Sequence, residues 1–251
     1  MTEFNFNIIN YAWISVALIT MISLVVLKIR APYGRHANTK WGRMIDNRLG
    51  WFLMELPAFL ICPLLAIFGP SEKDTVEWLL IGLWSLHYFN RTIIFPLRLR
   101  TKGKKMPLVI VFSALFFNGV NGFLNGYFIG FMDFEGGELV SINVILGLVL
   151  FFGGMIINQH TDTKLIALRK EQKGYQIPRK WLFDYISCPN HFGEIVEWAG
   201  FAIIAWSLPA LTFAIWTFSN LLPRALNHHD WYREHFEDYP QKRKAVLPWI
   251  W

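Results

Sequence analysis

Seven mostly apolar stretches divide this chain, roughly 20 residues being what a helix needs to cross a hydrocarbon layer about 30 Å thick. They cover 8–27, 50–68, 77–97, 107–131, 142–160, 181–205 and 208–222. In lipid every backbone N–H and C=O must be paired within the protein, so spans of this length are read as helices. A sequence of 251 residues that is 54% hydrophobic and 17% aromatic has too few polar side chains to clothe a water-soluble domain. No low-complexity tract, long linker or internal repeat interrupts it. The expected fold is all-α and integral to a membrane, with seven transmembrane helices in a single domain, residues 1–251. The first stretch has no basic segment ahead of it and no small-residue cleavage site behind it, which predicts a retained helix.

Lys and Arg accumulate on the cytoplasmic side of short loops. Here they follow the first stretch (Lys28, Arg30, Arg35, Lys40, Arg43, Arg48), the third (Arg98, Arg100, Lys102, Lys104, Lys105), the fifth (Lys164, Arg169, Lys170, Lys173, Arg179, Lys180) and the seventh (Arg224, Arg233, Lys242, Arg243, Lys244). The second loop holds only Lys73, and the fourth holds the acids Asp133, Glu135 and Glu138. This distribution predicts an N-terminus outside and a C-terminus in the cytoplasm. The net charge of +6 is thereby gathered on one membrane face. Topology with attraction to anionic lipid explains it, and so does a cytoplasmic site for a phosphorylated ligand. Spread over four segments, the basic residues form no nucleic-acid-binding module. Cys62 within a span and Cys188 at a cytoplasmic helix entrance predict no disulfide.

The second stretch contains one carboxyl, Glu55, with no base near it in sequence. An ionised acid at that depth costs about 2.5–3.5 kcal/mol on insertion scales. A neutral carboxyl facing a protein cavity is therefore expected, a proton donor in need of an acceptor. Other polar residues recur at helical spacing: Asn118, Asn121 and Asn125; Asn158 and Asp162, with Arg169 beyond; Asn190, Glu194 and Glu197; and Arg224, His228 and Tyr232. Such stripes glue helices together in some membrane proteins, but four of them opening toward the basic side point to a polar pocket. Pro57, Pro63 and Pro96 are expected to kink helices or free carbonyls around it, and Pro209 to make the tight outer turn between the last two spans. The dinucleotide fingerprint and the P-loop are absent, so a nucleotide would be held by side chains of helices and loops. The seven histidines lack HxxxH and HExxH spacing, and no metal centre is expected.

Taken together, these segments resemble the steroid 5-alpha-reductase family of membrane NADPH-dependent reductases. The resemblance begins at Pro32-Tyr33-Gly34-Arg35 and includes Glu55-Leu56-Pro57, His87-Tyr88-Phe89 with Arg91, Asn121-Gly122 and Gly126-Tyr127. It continues through Asn158, His160 and Asp162, Leu168-Arg169-Lys170, Gly174-Tyr175, Gly193-Glu194-Ile195 with Glu197-Trp198, Trp206-Ser207-Leu208-Pro209-Ala210, and Phe236-Glu237-Asp238-Tyr239-Pro240. Their order and spacing carry the likeness. It implies hydride transfer from NADPH to the 4,5 double bond of a 3-oxo-4-ene steroid or similar lipid enone. It further implies a cofactor shell of Arg91, Asn158, Asp162, Arg169, Tyr175, Asn190, Glu194, Arg224, His228 and Tyr232, open to the cytoplasm and formed mostly by residues 107–251. Glu55 and Tyr88 would be the catalytic pair that polarises the carbonyl, with Trp51 and Met54 beside them lining the substrate cavity.

The chain departs from the family at Met54, where animal enzymes have a glutamine, at Phe95 in place of a tyrosine, and at Lys102 in place of an arginine near the expected phosphate. Lys102 keeps the charge and loses the two-pronged grip. Beyond substrate and membrane lipid, no obligate protein partner is evident, and a monomer is expected. Two other readings remain. Cys188-Pro189-Asn190-His191-Phe192-Gly193-Glu194 is distantly similar to a segment of isoprenylcysteine methyltransferases, which would imply S-adenosylmethionine, although their Arg-His pair is missing. A lipid-binding or proton-coupled transport protein would use Glu55 as a carrier, although transporters are commonly built from repeats.

Overall fold

The computed structural model describes residues 1–250 except Ala31, Tyr33, Asn38, Thr101, Lys102, 133–136 and 172–174. The departure at Lys102, the acids Asp133 and Glu135, and Tyr33 and Gly174 of the family motifs lie outside the described residues. Among the described residues, eight α-helices make up nearly all of the fold: α1 (Glu3–Val26), α2 (Asn47–Phe68), α3 (Thr75–Phe89), α4 (Phe95–Arg98), α5 (Leu108–Phe131), α6 (Ile142–Glu171), α7 (Pro189–Ala205) and α8 (Leu208–His235). A π-helical turn, Asn90–Ile94, joins α3 to α4 into one interrupted rod. Its cause is local: Pro96 has no N–H to donate, and the ladder widens ahead of it so that Phe95 N–H reaches Asn90 O. Two short strands, β1 (Met44–Asp46) and β2 (Lys105–Pro107), pair antiparallel and close the loops beneath α2 and α5.

Among the described residues, four helices are long and apolar enough to cross a membrane: Glu3–Val26, Asn47–Phe68, Leu108–Phe131 and Ile142–Arg169. The other expected spans are also helical, with shifted bounds. The sixth begins at Pro189 instead of residue 181, because the preceding backbone is engaged elsewhere. Lys244 N–H donates to Tyr185 O at 2.9 Å, Ser187 N–H to Lys244 O at 2.8 Å and Cys188 N–H to Ala245 O at 3.0 Å. Pro189 then opens α7, where its missing donor is harmless. The last helix runs through Pro223 to His235, well past residue 222. Pro209 lies in the first turn of α8, and the reversal before it is made by Trp206, whose φ is 42°, and Ser207.

The most extensive packing joins α6 to α7 and α2 to α5. Glycines allow the first approach: a Cβ on Gly193 would lie 2.6 Å from both Gly154 O and Asn158 N. The asparagine stripe of α5 serves the helix interfaces more than the pocket. Asn121 Oδ1 accepts from Trp13 Nε1 at 3.2 Å, and Asn125 Nδ2 donates to Asn121 O at 3.0 Å and Pro209 O at 3.5 Å. At the centre Trp84 packs on Trp198, Phe201 and Phe213 and donates to Ala58 O at 2.8 Å.

Candidate active site

A cavity of about 590 Å³ lies among α2, α3, α5, α6, α7 and α8. From α2 come Trp51, Met54 and Glu55, which the spacing of three and four residues places on one helix face. Asn118 of α5 fastens that face, donating from Nδ2 to Met54 O at 2.6 Å and to Glu55 Oε2 at 3.3 Å. From α3 come His87 and Tyr88, both buried. The Tyr88 hydroxyl makes no hydrogen bond to protein among the described residues, leaving it available to a ligand.

Arg91 leaves the π-helical turn and joins the two ends of the cavity. Its Nη2 is 3.7 Å from Glu55 Oε1, and its Nη1 is 3.6 Å from Asp162 Oδ2. The guanidinium is held between rings, 5.0 Å from the centroid of Trp51 and 4.7 Å from that of Phe95. Glu55 is thus not a lone acid. The base missing from its sequence neighbourhood arrives from the next helix, and Phe95, one of the departures from the family, supports it. Asp162 Oδ1 accepts from Asn190 Nδ2 at 3.3 Å, and Asn158 Nδ2 donates to Asn190 O at 3.1 Å and Glu194 Oε2 at 3.3 Å.

Of the residues expected to hold a cofactor, Arg91, Asp162, Arg169, Asn190, Glu194, Arg224, His228 and Tyr232 line this one cavity. Asn158 stands behind it as a support for Asn190 and Glu194. Tyr175 stands apart from the lining, where its hydroxyl accepts from Lys104 Nζ at 3.0 Å and its ring packs against Trp231. The polar set suits a dinucleotide: guanidiniums grip phosphates, and carboxyls and amides bond ribose hydroxyls and a carboxamide. Met54, the other described departure, packs on Met106 and Val111 at the cavity edge.

Sequence reasoning did not pair His87 with Glu197, whose Nδ1 and Oε1 are 2.7 Å apart in the core. The signal was available: an imidazole and a carboxyl, each within an apolar stretch, call for a partner. Glu197 therefore serves His87 and is not part of the cavity lining shared by Asn190 and Glu194. The other omission is at the lower wall, where Ser187 lines the cavity. Its hydroxyl donates to Lys244 O at 3.0 Å, so it must accept from Tyr239 O–H at 2.5 Å and from His229 Nδ1–H at 2.7 Å. Burial holds the His229 imidazole below its usual range and pushes the Tyr239 phenol up.

The profile of the 3-oxo-5-alpha-steroid 4-dehydrogenase family matches residues 104–251. Over 243 residues, 94% of this chain and 93% of the relative, the sequence is 42% identical to steroid 5-alpha-reductase DET2 of Gossypium hirsutum. It is 38% identical to 3-oxo-5-alpha-steroid 4-dehydrogenase 1 of Bos taurus, covering 95% of each chain. It is also 38% identical to 3-oxo-5-alpha-steroid 4-dehydrogenase 2 of Homo sapiens, covering 93% of this chain and 94% of that one. With its catalytic-type cavity and this similarity along nearly its whole length, the chain belongs to the steroid 5-alpha-reductase family, oxidoreductases that act on CH–CH groups.

Proposed function

We propose that this protein reduces the 4,5 double bond of a 3-oxo-4-ene steroid or a similar lipid enone with a hydride from NADPH. The observation that carries the reading is the pairing, in one cavity, of Glu55 and Tyr88 with a polar set drawn from α6, α7 and α8. NADPH bound to that set would supply the hydride. Arg169 and Arg224 would take its phosphates, while Asp162, Asn190 and Glu194 would take hydroxyl and amide groups.

In an enone the ketone withdraws electrons from the far alkene carbon. Hydride adds there, the alkene pair shifts, and negative charge collects on the ketone oxygen. A proton from solvent completes the neighbouring carbon. Tyr88 and a protonated Glu55 donate hydrogen bonds to that oxygen; donors fixed in a dry site are worth about 2.7–4 kcal/mol each by analogy with oxyanion holes. Arg91 stands between Glu55 and Asp162 and can balance one of them as a carboxylate, which favours a proton on the other. Trp51 and Met54 pack against the substrate.

The placement we propose is seven crossings, with the N-terminus outside and the cofactor end of the cavity open to the cytoplasm, in a protein that needs no partner chain. It rests on the basic loops and on the sidedness of Arg169 and Arg224. A fluorescent reporter fused after residue 251 should light in the cytoplasm, and a reporter on the other side would refute this orientation. For the cofactor, the purified protein should gain thermal stability with NADPH more than with NADH or S-adenosylmethionine. A larger gain with S-adenosylmethionine would instead favour a methyltransferase.

A further inference from the structure

The polar stripe of α8 does not end at Arg224. Counting back by fours from Tyr232 and His228 gives Arg224, Asn220 and Trp216, and Thr217 adjoins the last; all line the cavity. At 1.5 Å per residue, Asn220 stands about 6 Å and Trp216 about 12 Å deeper than Arg224. They interrupt a wall otherwise made by Trp13, Phe116, Phe117 and Phe213.

Several helical hydroxyls and amides elsewhere in this protein pair with the carbonyl four residues back, although the buried hydroxyls of Thr92 and Ser219 do not. Ser113 bonds Val109 O, Asn121 bonds Phe117 O, Asn125 bonds Asn121 O, Thr161 bonds Ile157 O and Thr212 bonds Leu208 O. Thr217 and Asn220 make no such bond among the described residues. Trp13 and Trp84 likewise find oxygens for their indole N–H groups. The Trp216 Nε1–H, in a residue 7% exposed, is buried with no partner, although its ring is well packed on Trp13 and Phe117. Unpaired polar groups at this depth cost free energy unless a ligand supplies the missing bond.

α8 packs mainly against α1 and α7, with a smaller contact to α5, whereas Glu55 and Tyr88 belong to α2 and α3. The two polar groups therefore reach the one cavity from different helices. We propose that Trp216, Thr217 and Asn220 form a second polar subsite, which receives a keto or hydroxyl oxygen that the lipid substrate carries away from its enone. The subsite rests on the reductase reading above and narrows its substrate class to enones oxygenated at both ends. Trp216 donates to that oxygen, while the amide of Asn220 and the hydroxyl of Thr217 donate or accept as the group requires.

The test compares two 3-oxo-4-ene steroids that differ only by an oxygen on the ring farthest from the enone, with the full-length enzyme in lipid nanodiscs and saturating NADPH. The parent should favour the oxygenated steroid by about tenfold in kcat/KM. Asn220→Leu combined with Thr217→Val should remove that preference while the Kd for NADPH is unchanged. Trp216→Phe, which keeps the ring packing and deletes only the N–H, should reduce it. Variants that retain the parental preference overturn the subsite. So does a loss of NADPH affinity with equal loss of rate on both steroids, since the three groups would then serve the cofactor. If the parent reduces neither steroid, the reductase reading falls with it, an outcome distinct from equal reduction of both, which removes the subsite alone.

Discussion

Arg91 Nη2 stands 3.7 Å from Glu55 Oε1, beyond hydrogen-bonding distance but close enough to govern the charge of the buried acid. The same guanidinium reaches Asp162 at 3.6 Å, so it couples the proposed carbonyl end of the cavity to the proposed cofactor end. Glu55→Leu and Tyr88→Phe should each lower the rate on an enone by about a hundredfold or more, as loss of an oxyanion-hole donor does. Glu55→Gln keeps an N–H donor and should retain part of the activity. The double variant should lose much less than the product of the single losses, because both groups serve one oxygen. Fully multiplicative losses would assign the two residues to different tasks.

A second prediction concerns the cofactor end. Asn190→Ala breaks the bond to Asp162, and Glu194→Ala removes one of the two acceptors of Asn158. Each should weaken NADPH binding at least tenfold, and Arg224→Ala should do so more strongly at low salt, as loss of a charge contact requires. Fluorescence titration with NADPH reads all three. Parental affinity in folded variants would move the cofactor elsewhere.

The apolar stretches and basic loops made the helical architecture legible, because lipid-length segments have few alternatives. The polar shell was legible as spacing: Asp162, Asn190, Glu194, Arg224, His228 and Tyr232 do meet in one cavity. What spacing could not convey was contact between helices. Nothing near Glu55 in sequence announces Arg91, and the asparagines of α5 have the same period whether they line a pocket or bond a neighbouring helix. Only Asn118 of those three reaches the cavity. The start of α7 was misplaced for a similar reason. Residues 181–188 are apolar enough to extend a helix, but Trp181–Asp184 close a 3-10 turn and the backbone of Tyr185, Ser187 and Cys188 pairs with a segment more than fifty residues away.

The closeness of α6 and α7 gives a stability prediction. Gly193→Ala forces a methyl group against Gly154 O and Asn158 N, both backbone atoms that cannot turn aside. The helices must separate, which disturbs Asn190 and Glu194 together. Overpacking of this kind costs about 1–3 kcal/mol, to be read as a lower unfolding midpoint with weaker NADPH binding. An unchanged midpoint would show that the interface yields more readily than its geometry implies.

Acid should loosen the C-terminal segment. Burial, with Arg233 adding to it, holds the His229 imidazole below its usual value of 6.5, so the folded protein binds this proton less readily than the unfolded chain. The stability gained by holding this imidazole neutral is complete above about pH 6.5 and is lost as pH falls toward the folded value, although Nδ1–H still donates to Ser187. Hydrogen exchange at the Ser187, Cys188 and Lys244 amides should therefore quicken on acidification after correction for intrinsic rates, and His229→Gln should flatten that dependence. The same acid response in the variant would locate the titrating group elsewhere.

The most direct measurement of the whole account follows the hydride. The purified protein is incubated with a 3-oxo-4-ene steroid and NADPH deuterated at the transferable position of the nicotinamide, and the product is analysed by mass spectrometry and NMR. The account predicts a saturated ketone with one deuterium on the former alkene carbon farther from the carbonyl, formed in step with cofactor oxidation and greatly slowed in Tyr88→Phe. Deuterium on the carbonyl carbon, or a steroid recovered unchanged while NADPH remains bound, would contradict it.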